Sequence, residues 1–568
     1  MSARSGEGVL RGYSPAVLIL VPLLLLMVVP PLVYLVTASL HETNIDGSFG
    51  DFTWDNYANL VGGDRFLRHF ANTCAYSLGS ALVALLIGGA QAWIAERTNT
   101  PLRGIVVVIA VVALGIPSVL FTISLLLIFG KAGPVNQFLM WLFGAKEALV
   151  DIYSLGGMIL VEGIEFSPLC FLLLSSVLRN NDAALEEAAL MSGANVGATM
   201  RRITFRLALP GVLALLILTF IRAFESFETP ALVGRPGRVD VLTMDVFHSM
   251  QTSPPDYGEA GAFSIVLLVV VGLLLWAYSL TAKNGARYQT VSGKGFRPRV
   301  IDLGPWKWAT LALLVTIFIV TIAAPLAILL WVSFQPYYEG VSLAALDLVT
   351  TKHYATVLRG ETFREAIGNT ILLGVSAALL VAALTAVCAW LVVRRHKGAW
   401  LLDQLCSAPL VFPAIVMAVA MLEVFLNQPL PLYGTLTSIV IASAIHYLPY
   451  GMRYSYAGVL QIHRELEEAA AMSGARQTTI FLRIVTPLIA PALIAGGLFV
   501  FLIAAKAVSI PILLAGPKSR VVSVALFDMW QNGLFGEVSA IGVVWTLFMT
   551  AVSLAFFFLI KKFGMAMR

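Results

Sequence analysis

Twelve stretches of this 568-residue chain are apolar over about the length that a bilayer requires, and they fall into two matched series of six. A helix needs about 20 mostly apolar residues to cross the hydrocarbon core, and in lipid every backbone N–H and C=O must be paired within the segment itself. These constraints predict an all-α integral membrane protein. The first series is Ala16–Val36, Ala71–Ile94, Ile105–Phe129, Leu155–Leu178, Gly211–Phe224 and Ala262–Leu280. The second is Ala309–Val332, Ile367–Val393, Leu402–Phe425, Ser438–Tyr456, Ala490–Ala504 and Ala540–Ile560. Only 12% of the residues are charged, against about 25% in a soluble domain. The first apolar run exceeds the roughly 7–15 residues of a cleavable leader, so it reads as a retained span.

The two series are an internal repeat. LEEAALMSGA, Leu185 to Ala194, recurs as LEEAAAMSGA, Leu466 to Ala475, with nine of ten positions identical at an offset of 281. Pro168/Pro449 and Pro230/Pro511 keep that offset, whereas Asn72-Thr73/Asn369-Thr370 and Ala92-Trp93/Ala389-Trp390 lie 297 apart. The halves run in the same direction, so the repeat is parallel. The expected division is residues 1–282, a basic linker 283–307, and residues 308–568.

Basic residues mark the cytoplasmic side of a membrane chain. Arg97 with Arg103, Arg394 with Arg395 and Lys397, the linker from Lys283 to Lys307, and Lys561, Lys562 and Arg568 fall on one side of a twelve-span topology. Both termini and both copies of the decapeptide then lie in the cytoplasm. The linker's charge suits anionic lipid; it lacks the interleaved aromatics expected of a nucleic-acid surface. Cys74, Cys170, Cys388 and Cys406 lie in or beside apolar runs without CxxC spacing and read as small packing residues.

In each decapeptide, glutamates and alanines favour a helix and a glycine, Gly193 or Gly474, is placed to end it in the left-handed conformation. A second short helix is expected to lead into the next span. Glu187, Ala188, Ala189, Gly193 and Ile203, and Glu468, Ala469, Ala470, Gly474, Ile484 and Pro487, resemble the EAA motif of type I ABC importer permeases. The first copy departs from that pattern, with Phe205-Arg206 where the second has Thr486-Pro487. The stretch Glu225-Ser226-Phe227-Glu228-Thr229-Pro230 and the segment Ser523–Gly542 are similar to the fused, two-half permeases of ferric-iron importers.

The resemblance implies twelve transmembrane helices as two six-helix repeats in a bacterial inner membrane. It also implies two ATP-binding subunits docked on the EAA segments, and a soluble binding protein delivering cargo from outside. Polyamine, thiamine, phosphonate and sugar-phosphate permeases are close kin of the same class, so these cargoes stay open beside iron. The nearest approach to a phosphate-binding G-x-x-x-x-G-K-[ST] loop is Gly293-Lys294, with Tyr288 and Gly295 at the other required positions. The chain is therefore expected to be no enzyme and to hold no cofactor, with ATP and magnesium on the partner subunits. An ion-coupled secondary transporter would explain the span count but leaves the duplicated EAA segments without a purpose.

Charges inside spans cost about 2.5–3.5 kcal/mol each at mid-bilayer on insertion scales, so they mark candidate function. Glu162 and Glu165 share one helix face, and Glu225 and Glu228 close the fifth span. Their repeat mates include His446 for Glu165 and Lys506 for Glu225, and Arg453 lies about two turns beyond His446. These seven residues are the candidate translocation path, or inter-half ion pairs that fix packing. No metal-ligand spacing appears among the remaining histidines. Pro168 and Pro449 are expected to kink their spans. The loops Glu225–Glu259 and Lys506–Glu537 either fold back toward the membrane or form a receiving rim.

Overall fold

In a computed structural model, the described residues are 15–45, 47–179, 188–189, 191–193, 195–285, 300–338, 340–342, 344–427 and 432–562. The first half contains α1 (Pro15–Ser39), α2 (Asp64–Arg97), α3 (Val106–Gly115), α4 (Ser118–Phe129), α5 (Pro134–Phe143), α6 (Leu155–Arg179), α7 (Phe205–Phe224), α8 (Leu242–Gln251) and α9 (Tyr257–Gly285). The second contains α10 (Lys307–Phe318), α11 (Ala324–Ser333), α12 (Glu361–Val393), α13 (Ala399–Ser407), α14 (Ala414–Asn427), α15 (Leu436–Leu460), α16 (Glu465–Met472), α17 (Thr486–Lys506), α18 (Val522–Gln531) and α19 (Phe535–Lys562). One small antiparallel hairpin, β1 (His41–Thr43) with β2 (Phe49–Phe52), interrupts the otherwise helical pattern. Ten helices among the described residues are long and apolar enough to cross a membrane, or eleven with one bent pair counted as a span. The tenth expected span, α15, has 25 residues but carries His446, Tyr447, Tyr450 and Arg453 within it.

Two expected spans are broken rather than straight. Ile105–Phe129 divides into α3 and α4 at Ile116 and Pro117, both extended, with ψ of 126° and 137°. Leu402–Phe425 divides at Phe412-Pro413, where the flanking helices bend by 108°. Proline removes a helical N–H and pushes the preceding residue out of the helical region. Pro168 and Pro449, by contrast, lie inside continuous helices.

In the first half α2 packs between α6 and α7, and in the second α12 packs between α15 and α17. Lipid tails are as apolar as leucine, so close backbone approach through small residues holds such helices together. An added Cβ on Gly88 of α2 would lie 2.7 Å from Cys170 Cβ and 2.6 Å from the Ser167 carbonyl oxygen of α6. The repeat mates of Gly88 and Cys170 are Thr385 and Gly451, and a Cβ on Gly451 would lie 3.2 Å from Thr385 Oγ1. The same crossing thus uses a glycine on opposite partners in the two halves.

The halves are interleaved. The first span of each lies against the third span of the other: α1 packs on α13 and α14, and α11 packs on α4. Each long outward loop folds into a helix sunk in the protein, with Leu242 to Phe247 of α8 and Val522 to Phe527 of α18 buried. The loops are therefore more than an exposed rim. Both are pinned by the repeated Asn-Thr pair. Thr73 Oγ1 accepts the first N–H of α8 from Leu242 at 3.0 Å, and Thr370 Oγ1 accepts the first N–H of α18 from Val522 at 2.8 Å. Asn72 donates to the Asp240 carbonyl at 3.1 Å, and Asn369 donates to the Lys518 and Arg520 carbonyls at 3.0 Å each. Helix N-termini leave their first N–H groups without partners, and these side chains supply acceptors inside the protein. Asp245 of α8, fully buried, adds an ion pair to Arg65 and a hydrogen bond to His69 Nδ1 of α2, each at 2.8 Å.

Gly88→Ala should lower stability by about 1–3 kcal/mol, because overpacking a filled site moves backbone. Gly89→Ala, whose Cβ would meet only Leu174 Cδ1 at 3.5 Å, should be neutral or stabilising by up to about 1 kcal/mol. Thermal unfolding of the detergent-purified protein compares the two.

Candidate translocation cavity and coupling segments

Six of the seven intramembrane candidates converge. Glu162 and Glu165 from α6, Glu225 and Glu228 just past α7, His446 from α15 and Lys506 at the end of α17 line one cavity of about 160 Å3 at the junction of the halves. Arg222, Tyr447, Tyr450, Ser118, Ser226 and Ser509 complete its polar wall. Arg453 does not join them: it is exposed, seven residues beyond His446 on α15. Seven residues are close to two full turns, so Arg453 keeps nearly the same helix face but lies about 10 Å farther along the axis, past the residues that line the cavity.

The groups hold one another across the repeat. Arg222 reaches Glu225 at 2.7 Å and the Tyr450 hydroxyl at 3.2 Å. Glu228 accepts from the Ser509 hydroxyl at 3.2 Å and the Val508 N–H at 3.4 Å. Ser509 is the repeat mate of Glu228, so this contact sits on the pseudo-two-fold axis that relates the halves. Lys506 donates to the Leu114 carbonyl at 3.2 Å, an acceptor released by the helix break at Pro117. His446 is 9% exposed, and its Nδ1 has no hydrogen-bond partner among the described residues. Buried polar atoms are almost always paired, and this nitrogen is an exception on the wall of the cavity.

Sequence reasoning missed Arg222 and the two tyrosines. The arginine had a readable signal: it lies three residues before Glu225 in FIRAFESFE, the spacing of side chains on one helix face. Its aromatic partner on α15 had none, because that contact crosses the halves.

At the other end of the bundle, the second decapeptide forms α16, followed by Gly474 at φ 85°, a helical turn Gln477–Ile480 and a π-helical turn Phe481–Val485. The first copy follows the same course after it: Gly193 at φ 86°, Val196–Thr199, then a π-helical turn Met200–Thr204. The π turns coincide at the offset of 281, although only the second is followed by Pro487. The missing proline thus does not remove the turn. Ala188 and Ala189 are helical, Ile203 is half-buried, and Glu187 lies outside the described residues.

On α16 the two adjacent glutamates separate. Glu468 is exposed and pairs with Arg464, one turn back at 2.9 Å, while Glu467 points inward to Trp390 of α12 and to Arg394 at its end. Ala469 and Gly474 are exposed, and Ala470 and Ile484 half-buried. Met191 and Met472, repeat mates, are each 90% exposed.

Residues 84–289 and 371–568 each match the model of binding-protein-dependent transport system inner membrane components. The chain belongs to that family. It is a multi-pass permease of an inner-membrane transport system, with the family unit present twice in one polypeptide. The ferric transport system permease of Actinobacillus pleuropneumoniae is 26% identical over 89% of this permease and 73% of its own length. A Haemophilus influenzae protein provisionally named a ferric transport system permease is 27% identical over 80% and 71%. The spermidine/putrescine permease of Salmonella typhimurium is 29% identical over 45% of this chain and 88% of its own, which is the expectation for a single-unit relative of a fused permease.

The permease's Arg222–Glu225 pair separates packing from solute handling. Arg222→Gln leaves the Glu225 carboxylate without its partner and should cost about 1–3 kcal/mol, toward the low end because the guanidinium is 41% exposed. Adding Glu225→Gln should restore the thermal midpoint. Transport that stays impaired in the restored double variant assigns the pair to the solute path.

Proposed function

We propose that this permease is the fused transmembrane subunit of a ferric importer. Two ATP-binding subunits dock on the segments Glu187–Ile203 and Glu468–Ile484, and an extracytoplasmic binding protein delivers the cargo. Residues 1–282 and 308–568 form the two halves, the linker 283–307 faces anionic lipid, and both termini lie in the cytoplasm. ATP and magnesium belong to the partner subunits. Closure of those subunits would draw the two halves apart on the outer side and expose the cavity there.

The observation that carries the docking reading is the matched pair of exposed levers. Each has a left-handed glycine, a π turn into its span, and a methionine at 90% exposure. Methionine is adaptable at interfaces, and among the described residues nothing covers these two. Glu468, free of the bundle, is the charge available to a partner.

The cargo reading rests on the cavity. Four carboxylates face one guanidinium and one ammonium, an excess that favours a cation, and ferric ion is a hard acid suited to carboxylate oxygen. Relatives named for ferric transport share most of this chain's length. A polyamine is the second cation that this wall would accept, and a relative named for spermidine and putrescine matches half of the chain.

Reconstitution with the ATP-binding subunits and binding protein tests both parts. Glu468→Ala should reduce ATP-coupled uptake at least tenfold while the purified permease keeps its thermal midpoint. Uptake without any ATP-binding subunit would overturn the docking reading. Radiolabelled ferric ion should be taken up without competition from spermidine, and uptake of radiolabelled spermidine with none of ferric ion would transfer the cargo to polyamine.

A further inference from the structure

The second span of each half is tied at both ends by the residues that the repeat preserves. Aligned at the offset of 297, α2 and α12 share four residues with hydrogen-bonding side chains: Asn72/Asn369, Thr73/Thr370, Trp93/Trp390 and Arg97/Arg394. The other shared positions, Phe66/Phe363, Ala81/Ala378, Leu82/Leu379 and Ala92/Ala389, carry no hydrogen-bonding side chain. In each helix the first pair and the second pair are about 30 Å apart at 1.5 Å per residue.

The outer pair holds the buried loop helix, α8 or α18, through the bonds described above. In the second half the inner pair holds the coupling segment. Arg394 donates to Glu467 from Nε at 2.9 Å and from Nη2 at 2.5 Å, and from Nη2 to the Ile462 carbonyl at 3.1 Å. Trp390 Nε1 donates to the other Glu467 oxygen at 2.9 Å, and its ring lies 5.2 Å from that of Phe481. The end of α12 therefore grips the coupling segment before, within and after α16. In the first half Arg97, buried, donates to the Leu178 carbonyl at 2.9 Å, at the helix end that leads into the first lever.

We propose that α2 and α12 act as push-rods. Movement of a docked coupling segment is passed along the rod to the loop helix at its far end, and Asn72, Thr73, Asn369, Thr370, Trp390, Arg394 and Glu467 are positioning residues for that transfer. A helix hydrogen-bonded along its whole length is stiff along its axis, whereas the prolines in α3–α4 and α13–α14 make the neighbouring third spans compliant. The loop helices are the delivered end. Phe247 of α8 and Phe527 of α18 close over Phe227, with ring centroids 4.9 and 6.2 Å from it. Phe227 stands between Ser226 and Glu228 of the cavity wall. Displacing α8 and α18 would part this aromatic cluster and open the cavity outward.

The inference rests on the docking reading above, and its test keeps the two apart. The complete complex with its ATP-binding subunits is placed in nanodiscs, with Cys74→Ser and a reporter Ser226→Cys. ATP plus vanadate should raise labelling of the reporter by an impermeant maleimide several-fold in the parent. Thr370→Val keeps the shape of the side chain but removes the acceptor for Val522 N–H. It should leave ATP hydrolysis within about twofold of the parent yet reduce the labelling gain at least fivefold, and Thr370→Ser should recover the gain. A full gain in Thr370→Val overturns the rod, as does a loss of labelling accompanied by release of the ATP-binding subunits. A parent complex that neither retains those subunits nor responds to ATP overturns the docking reading, and the rod with it.

Discussion

Every irregular piece of backbone in this bundle has to find partners inside the protein, because lipid offers none. That requirement decides where the structure departs from plain helices. The break at Pro117 releases the Leu114 carbonyl, and the carbonyl takes the Lys506 ammonium. The N-termini of the two loop helices are exposed by the chain's return into the protein, and threonine hydroxyls from neighbouring helices accept their first N–H groups. Departures from helix thus bring the chain's few polar side chains to the seam between the halves. A cavity suited to a hydrophilic solute follows from the same need that permits the breaks.

Much of this arrangement was legible in the sequence, and the limits have physical causes. Spans and repeat were readable because lipid burial writes long apolar runs and duplication writes matching segments. The intramembrane glutamates were readable because a charge in lipid is costly wherever it sits. Arg453 shares nearly the same helix face as His446, but how far along α15 the cavity extends is set by the other half and is not written in that spacing. The breaks at Pro117 and Pro413 and the continuity through Pro168 and Pro449 could not be told apart from proline alone, because neighbouring helices decide whether the freed carbonyl is satisfied. Asn72 and Thr73 were visible as repeat matches, but their bonds to α8 span some 170 residues of sequence and only folding reveals them.

Fusion of the halves has let equivalent positions take opposite characters. Glu225 is paired by the repeat with Lys506, Glu165 with His446, and the glycine at the α2–α6 crossing moves to the other helix in the second half. Two identical subunits would have placed like charges face to face across the axis. Here one polypeptide sets an acid opposite a base at two levels, while a direct contact between repeat mates, Glu228 with Ser509, needs only one carboxylate.

The crossing of α1 into the second half bears on how the protein is made. Its packing surface on α13 begins at Ala399, some 360 residues after α1 ends at Ser39. At ~5–20 residues per second, roughly 20–70 s pass between insertion of the helix and synthesis of that surface. During that interval an apolar helix with three internal prolines must wait in the bilayer beside its own half alone. Biogenesis of this chain is therefore a problem of holding its first span in reserve, and substitutions in α1 would act on yield before they act on transport.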